Sequence, residues 1–208
     1  MKKKKIPISE PPFNPLGKKN LGESVAQELL NRPINFLPPE QEFIGAGIYA
    51  IYYIGDYPIY KVISQQNAND SFSSPIYVGK AVPKGARKGG LGLDYPHGMV
   101  LYERLWEHAK SIKQVDNLDL KDFRCRYLVV DDIWIPLAES LLIEMFSPIW
   151  NIILDGFGNH DPGKGRYQQQ RSAWDVLHPG RAFADKLVDN NKTEKQITDV
   201  IKKYYSEK

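Results

Sequence analysis

The chain has 208 residues, 42% of them hydrophobic and 25% charged, and carries a net charge of +3. That composition excludes a wholly disordered chain, and no run is long and apolar enough to span a bilayer. Cys125 is the single cysteine, which excludes an intramolecular disulfide and fits a reducing cytoplasm.

The opening MKKKK is followed by IPISEPPFNPLG, which lacks the apolar core of a signal peptide, and residues 1–20 read as an irregular arm. Residues 23–32 (ESVAQELLNR) form a predicted short helix ended by Pro33, and FLPPEQ is a linker. Residues 47–54, rich in Ile and Tyr, read as a first strand. Residues 56–74 combine a short strand (IYKVI) with a polar loop, and PIYVG (75–79) is a second strand. The long glycine-rich loop KAVPKGARKGGLGLDYPHG follows. Helical spacing of Leu101, Leu105, Ala109 and Ile112 marks a helix over 100–113. CRYLVV (125–130) is a third strand, and residues 135–147 an apolar helix between Pro136 and Pro148. A Gly-rich, basic, aromatic tract comes next, then helical stretches near 181–190 and 193–205. The order of elements describes an α/β or α+β domain on a small three-stranded sheet.

Charge is unevenly placed. Between residues 80 and 113, Lys80, Lys84, Arg87, Lys88, Arg104, Lys110 and Lys113 outnumber Asp94, Glu103 and Glu107, a patch suited to a phosphate-bearing partner. His97, His160 and His178 are scattered, without the His/Cys spacing of a zinc site.

The stretch GIYAIYYIG (47–55) contains two similar tripeptides, GIY and YIG. Tyr49 and Tyr53 share a face of one strand, but at ~3.3 Å per residue they stand about 13 Å apart, too far to touch one phosphate. Tyr77, in YVGKA, lies on the next strand, and neighbouring strands are about 4.8 Å apart. Pairing of the two strands would bring Tyr49 and Tyr77 to one site, with Gly79 allowing close approach and Lys80 beside it. Arg104 and His108, at i and i+4, share a helix face. On the helix 135–147, Glu139 has the apolar neighbours Ile135, Pro136, Leu142 and Ile143, whereas Glu144 adjoins Ser140, Leu141, Ser147 and Pro148. Glu139 therefore points into the apolar stripe, where an unpaired carboxylate is costly and a bound cation would offset the cost.

The ordered set GIY (47–49), YVGKA (77–81), Arg104, Glu139 and P-I-W-N (148–151) resembles the GIY-YIG nuclease superfamily over roughly residues 45–152. Val78 replaces the usual isoleucine, and the interval between the tyrosines exceeds the family's, implying an inserted loop or hairpin. The resemblance implies an α+β fold: a GIY-YIG core of a small three-stranded antiparallel sheet flanked by helices, with loop insertions and N- and C-terminal helical extensions. It divides a single nuclease domain, 1–208, into an N-terminal arm and helix (1–44), the core (45–152) and a DNA-binding or dimerisation extension (153–208).

The catalytic set it implies is Tyr49, Tyr77, Arg104, His108, Glu139 and Asn151, His108 belonging to an R-x-x-x-H branch of restriction enzymes. Glu139 would hold Mg²⁺, with Mn²⁺ able to substitute. Tyr49 would be the base, assisted by Arg104 and His108, and Arg104 would stabilise the phosphorane. Tyr77 and Lys80 would hold the phosphate and the water. The further stretches NLDL-x-DF-x-CR, DGFGNH-x-PG-x-GR and SAWDVLHPGR resemble a type II restriction branch that cuts the palindrome CCGCGG. That implies double-stranded DNA as partner, no membrane, a homodimer or a tetramer, and a prokaryotic cytoplasm. Candidates for DNA contact are Lys80, Lys84, Arg87 and Lys88 in the first loop and Lys164, Arg166, Gln169 and Arg171 in the second. A structure-specific, repair or homing nuclease, and a non-catalytic DNA-binding protein on the same fold, are the alternatives.

Overall fold

The computed structural model describes Asn14, residues 16–83 and residues 98–207. The candidates Lys84, Arg87 and Lys88, with His97 and the arm up to residue 13, lie outside the described residues. The elements run α1 (Lys18–Asn31), β1 (Asn35–Phe36), β2 (Gly47–Tyr53), α2 (Lys61–Gln66), β3 (Tyr77–Ala81), α3 (Val100–Lys113), β4 (Phe123–Val129), α4 (Ile135–Phe146), α5 (Ile149–Ile152), α6 (Ala173–Leu177) and α7 (Glu194–Ser206).

Every residue of β2 is buried, because the strand is covered on both faces. Its side chains alternate between two cores. Tyr49, Ile51 and Tyr53 pack with Leu101, Leu105 and Ile112 of α3 and with Trp150, Phe157 and Trp174 beyond it. Ile48, Ala50 and Tyr52 pack with Ala26 and Leu29 of α1 and with Ile135, Ala138 and Leu142 of α4. The result is three layers, helix, sheet and helix, with an antiparallel sheet ordered β1-β4-β2-β3. β3 is an edge strand.

The mixed α/β class with a small antiparallel sheet between helices agrees with the sequence. Four local expectations need correction. α1 begins at Lys18, inside the stretch 1–20 read as an irregular arm and a turn before the expected helix 23–32, because Gly22 lets this turn pack closely on Leu141. The sheet has a fourth strand, the two-residue β1 paired to β4 through Asn35 and Phe36, within the stretch read as entering a linker. IYKVI is helical: a 3₁₀ turn, Pro58–Tyr60, runs into α2. Pro58 fits a first helical turn, where its missing N–H costs nothing. Tyr60 and Ile63, at i and i+3, are the positions buried there. The residues between the strands thus form a helical excursion. Asn67 closes it, donating from Nδ2 to the carbonyls of Tyr53 (3.0 Å) and Ser74 (2.9 Å) and accepting from the Ser74 N–H (2.9 Å). The stretch 181–190 is not a helix either. Gly180 has φ +129, Arg181 is buried, and only the 3₁₀ turn Ala184–Lys186 follows. α7 begins with a capping box between Thr193 and Gln196. No helix of the described residues is long and apolar enough to cross a membrane.

Candidate active site

β2 and β3 pair with Tyr49 opposite Gly79 and Ile51 opposite Tyr77. Tyr49 and Tyr77 are diagonal neighbours on one face, and their ring centroids lie 6.2 Å apart. Gly79 is required between them. A Cβ there would overlap the Tyr49 ring and hydroxyl, which cross over the edge strand. Asn151 fixes β3 from behind. Its side-chain amide accepts from the Val78 N–H and donates to the Val78 carbonyl, both at 2.8 Å. Tyr53 is elsewhere. Its hydroxyl accepts from the Tyr57 N–H, and it lines a cleft of about 920 Å³ with Asp56, Asp116, Asp119 and Asp122 at the far end of β2.

α3 supplies the next two groups. His108 is fully buried, and its Nε2 lies 2.6 Å from the Tyr49 hydroxyl. Burial pushes the Tyr49 phenol well above its ordinary range; Tyr77 adds to the rise and the Arg104 guanidinium opposes it. Burial, then the charge of Arg104, holds the His108 imidazole well below its ordinary range. Both groups are therefore neutral near pH 7. The bond runs from the Tyr49 O–H to Nε2, leaving the imidazole proton on Nδ1. Burial also raises the Tyr77 phenol, again opposed by Arg104.

The half-buried Arg104 sits one helical turn before His108. Its Nη2 donates to the Gly158 carbonyl (3.2 Å), and Nη1 donates to His160 Nε2. Burial and the Arg104 charge lower the His160 imidazole as well, so it serves as a neutral acceptor. Phe157 stacks on the His108 ring at 4.5 Å, and the edge of Tyr77 meets Phe157 at 5.0 Å. His160, Gly158 and Phe157 were missed in the sequence, where no spacing ties them to a helix 50 residues earlier. The only signal was the DGFGNH run itself.

Glu139 approaches from the other face. Successive residues of β3 alternate, so Lys80, opposite Ile48, points toward α4. There its Nζ lies 2.6 Å from Glu139 Oε2. The cation beside Glu139 is thus Lys80, in a pair whose carboxylate side chain is 19% exposed. Glu139 still acts electrostatically on Tyr49 and Tyr77. Glu144 is exposed. The site accordingly wraps the edge of the sheet, with tyrosines, Arg104 and His108 on one side of β3 and Lys80 with Glu139 on the other.

Among the described residues no three His, Cys, Asp or Glu side chains cluster as a metal cage. A single accessible carboxylate instead fits a hydrated Mg²⁺ that takes its remaining ligands from water and phosphate. Of the second-loop candidates, Lys164, Arg166 and Gln169 are exposed on or near the 3₁₀ turn Lys164–Arg166. Arg171 is engaged, donating from Nε to the Ala184 carbonyl (3.0 Å) and facing Asp185 (3.6 Å) and Asp189 (3.7 Å).

A second buried tyrosine–histidine pair lies deeper. Tyr60 Oη is 2.6 Å from His178 Nε2 and accepts from Trp150 Nε1 (2.9 Å), while His178 Nδ1 is 2.8 Å from Asn117 Oδ1. Burial pushes His178 down to about 3, so it is a neutral brace of the core.

Residues 41–205 match the family model described as the Eco29kI GIY-YIG domain. Comparison with curated proteins finds none that matches.

Proposed function

Starting from the fact that the chain belongs to the Eco29kI GIY-YIG domain family, a GIY-YIG nuclease domain related to a restriction enzyme, we propose that it is a metal-dependent type II restriction endonuclease. Its substrate is double-stranded DNA carrying the palindrome CCGCGG. The convergence of Tyr49, Tyr77, Arg104 and His108 with the Lys80–Glu139 pair around one sheet edge supports the nuclease chemistry, and the palindrome rests on the resemblance of the stretches NLDL-x-DF-x-CR, DGFGNH-x-PG-x-GR and SAWDVLHPGR.

The chemistry follows from the two neutral partners. A buried phenol is a poor stored anion, so Tyr49 does not wait as phenolate. A water attacks phosphorus while losing its proton to the Tyr49 oxygen, and the Tyr49 proton passes to His108 Nε2. The new O–P bond forms as the bond to the 3′ oxygen breaks, and that oxygen takes a proton from solvent. The phosphodiester charge favours the imidazolium that results. Arg104 neutralises the phosphorane with its two-pronged guanidinium. A divalent ion on Glu139, Mg²⁺ or in its place Mn²⁺, would act as Lewis acid on the phosphate and stabilise the leaving oxygen. Lys80 would then pair with a phosphate oxygen, and Asn151 keeps β3 in place through Val78.

One site cuts one strand, so a symmetric homodimer serves a palindrome most simply, a tetramer being the alternative. Residues 153–208 would form the DNA-binding and dimerisation extension. Lys164, Arg166 and Gln169, with Lys84, Arg87 and Lys88, are the candidate contacts to DNA.

The test is cleavage of short duplexes containing CCGCGG or single-base variants, with Mg²⁺ and with chelator. Metal-dependent cutting of both strands at CCGCGG alone is expected. Cutting confined to branched or damaged duplexes, or equal cutting of every variant, would reject the reading.

A further inference from the structure

Arg181 is a buried charge that the chemistry above does not use. Its side chain is 0% exposed, as is all but 1% of its partner Asp175. Nε donates to Asp175 Oδ1 (2.6 Å), Nη1 to the carbonyls of Phe157 (3.0 Å) and Asn159 (3.1 Å), and Nη2 to that of Gly156 (2.9 Å). Asp175 Oδ2 accepts from Ser172 Oγ at 2.7 Å, and the guanidinium lies over the Trp174 ring at 4.4 Å. A buried ion pair is weak evidence for stability, since apolar residues of the same volume often do as well. What the pair imposes is geometry. One planar fork reads three carbonyls of the single segment 156–159.

The other side of that segment is the active site. The Gly158 carbonyl holds Arg104 Nη2 at 3.2 Å, His160 holds Nη1, and Phe157 covers His108 at 4.5 Å. There is no slack. A Cβ on Gly158 would stand 3.0 Å from the Tyr77 hydroxyl and 3.1 Å from Arg104 Nη2.

We propose that Arg181, anchored by Asp175, is a positioning residue that sets the backbone of residues 156–159 and through it aims the Arg104 guanidinium at the scissile phosphate. The inference rests on the reading of Arg104 as a catalytic group. Lysine at 181 would keep the charge facing Asp175 but cannot reproduce the fork.

The experiment is a double-mutant cycle on the full chain: wild type, Arg181→Lys, Arg104→Lys and the pair. Single-turnover cleavage with Mg²⁺, DNA affinity in chelator and thermal unfolding are measured for each. Misplacing a reacting group by about 1 Å costs on the order of 100-fold. Arg181→Lys should lose about that factor in cleavage rate while binding DNA within about threefold of wild type. Added to Arg104→Lys, it should cost less than about threefold more, because the aimed group is already compromised. The same factor lost in both backgrounds, or lost in DNA affinity instead, would overturn the proposal. If Arg104→Lys alone cleaves at the wild-type rate, the reading of the site fails first and the proposal falls with it. Should Arg181→Lys not fold, Asp175→Asn replaces it, removing the charge that anchors the fork at 2.6 Å while leaving Gly158, Tyr77 and Arg104 unaltered. It should give the same rate loss, again non-additive with Arg104→Lys, and an unchanged rate would overturn the proposal.

Discussion

Replacing Tyr49 by phenylalanine removes one oxygen from the centre of the site. The ring still fills the space above Gly79, so packing against α3 is retained. What is lost is the 2.6 Å bond to His108 and, in the proposed reaction, the acceptor for the water's proton. General-base assistance is worth about 10²–10⁴-fold, or roughly 3–5 kcal/mol of barrier. The buried Nε2 left without a partner costs about 1–3 kcal/mol of stability. The folded protein should therefore survive with a lower unfolding midpoint while single-turnover cleavage falls by at least about 100-fold. DNA affinity in chelator should be unchanged, since in the proposed reaction the phenol acts on the reacting water. His108→Gln should show a similar loss, and the double variant should be little worse than either single one, because the proposed relay needs both groups. The assay is rapid-quench cleavage of a labelled duplex under enzyme excess. Cleavage by Tyr49→Phe within about threefold of wild type would refute the relay.

Other outcomes follow from the same geometry. Gly79→Ala forces a Cβ into the Tyr49 ring, and overpacking of this kind costs about 1–3 kcal/mol, read as a lower denaturant midpoint with reduced cleavage. Asn151→Ala leaves the Val78 N–H and carbonyl without their 2.8 Å partners, so stability should drop by about 1–3 kcal/mol in urea unfolding, with cleavage falling as β3 loosens. Stability should also fall on acidification. His178 is held at about 3 when folded, so the unfolded chain takes up a proton first. Its contribution is complete above its unfolded value of about 6.5 and is lost as pH falls from there toward 3. Between pH 7 and pH 5 this one group predicts a loss of about 2 kcal/mol, to which the lowered His108 adds, measurable by urea titration at the two pH values. A flat profile over that range would contradict the burial of both imidazoles.

Much of the site was legible because it rests on short-range rules. Strand spacing alone separated Tyr53 from Tyr77, and the two rings do lie at different places, Tyr77 against Tyr49 and Tyr53 against Tyr60 and Phe123. Helix periodicity put Arg104 and His108 on one face and set Glu139 apart from the exposed Glu144. The identity of the cation at Glu139 was not legible. Strand alternation sends Lys80 toward α4, yet whether it meets Glu139 depends on how α4 packs over β3. IYKVI misled because Ile, Tyr and Val favour strands, while Pro58 and the burial of Tyr60 and Ile63 settled the segment as a helix. The tract after Asn151 was read as a loop that touches DNA. Part of it turns inward instead, where Arg181, Asp175 and Trp174 form a buried scaffold behind Arg104. Nothing in local spacing announces such a contact, since its partners are 20 or more residues apart in the chain for each carbonyl bond.

The most direct test of the account is digestion of unmethylated phage DNA by wild-type protein and Glu139→Ala in parallel, each with Mg²⁺ and with chelator. The account predicts discrete fragments ending within CCGCGG from the wild type with Mg²⁺, and uncut DNA in the other three reactions. A smear, nicking alone, or fragments from Glu139→Ala at the wild-type rate would contradict it.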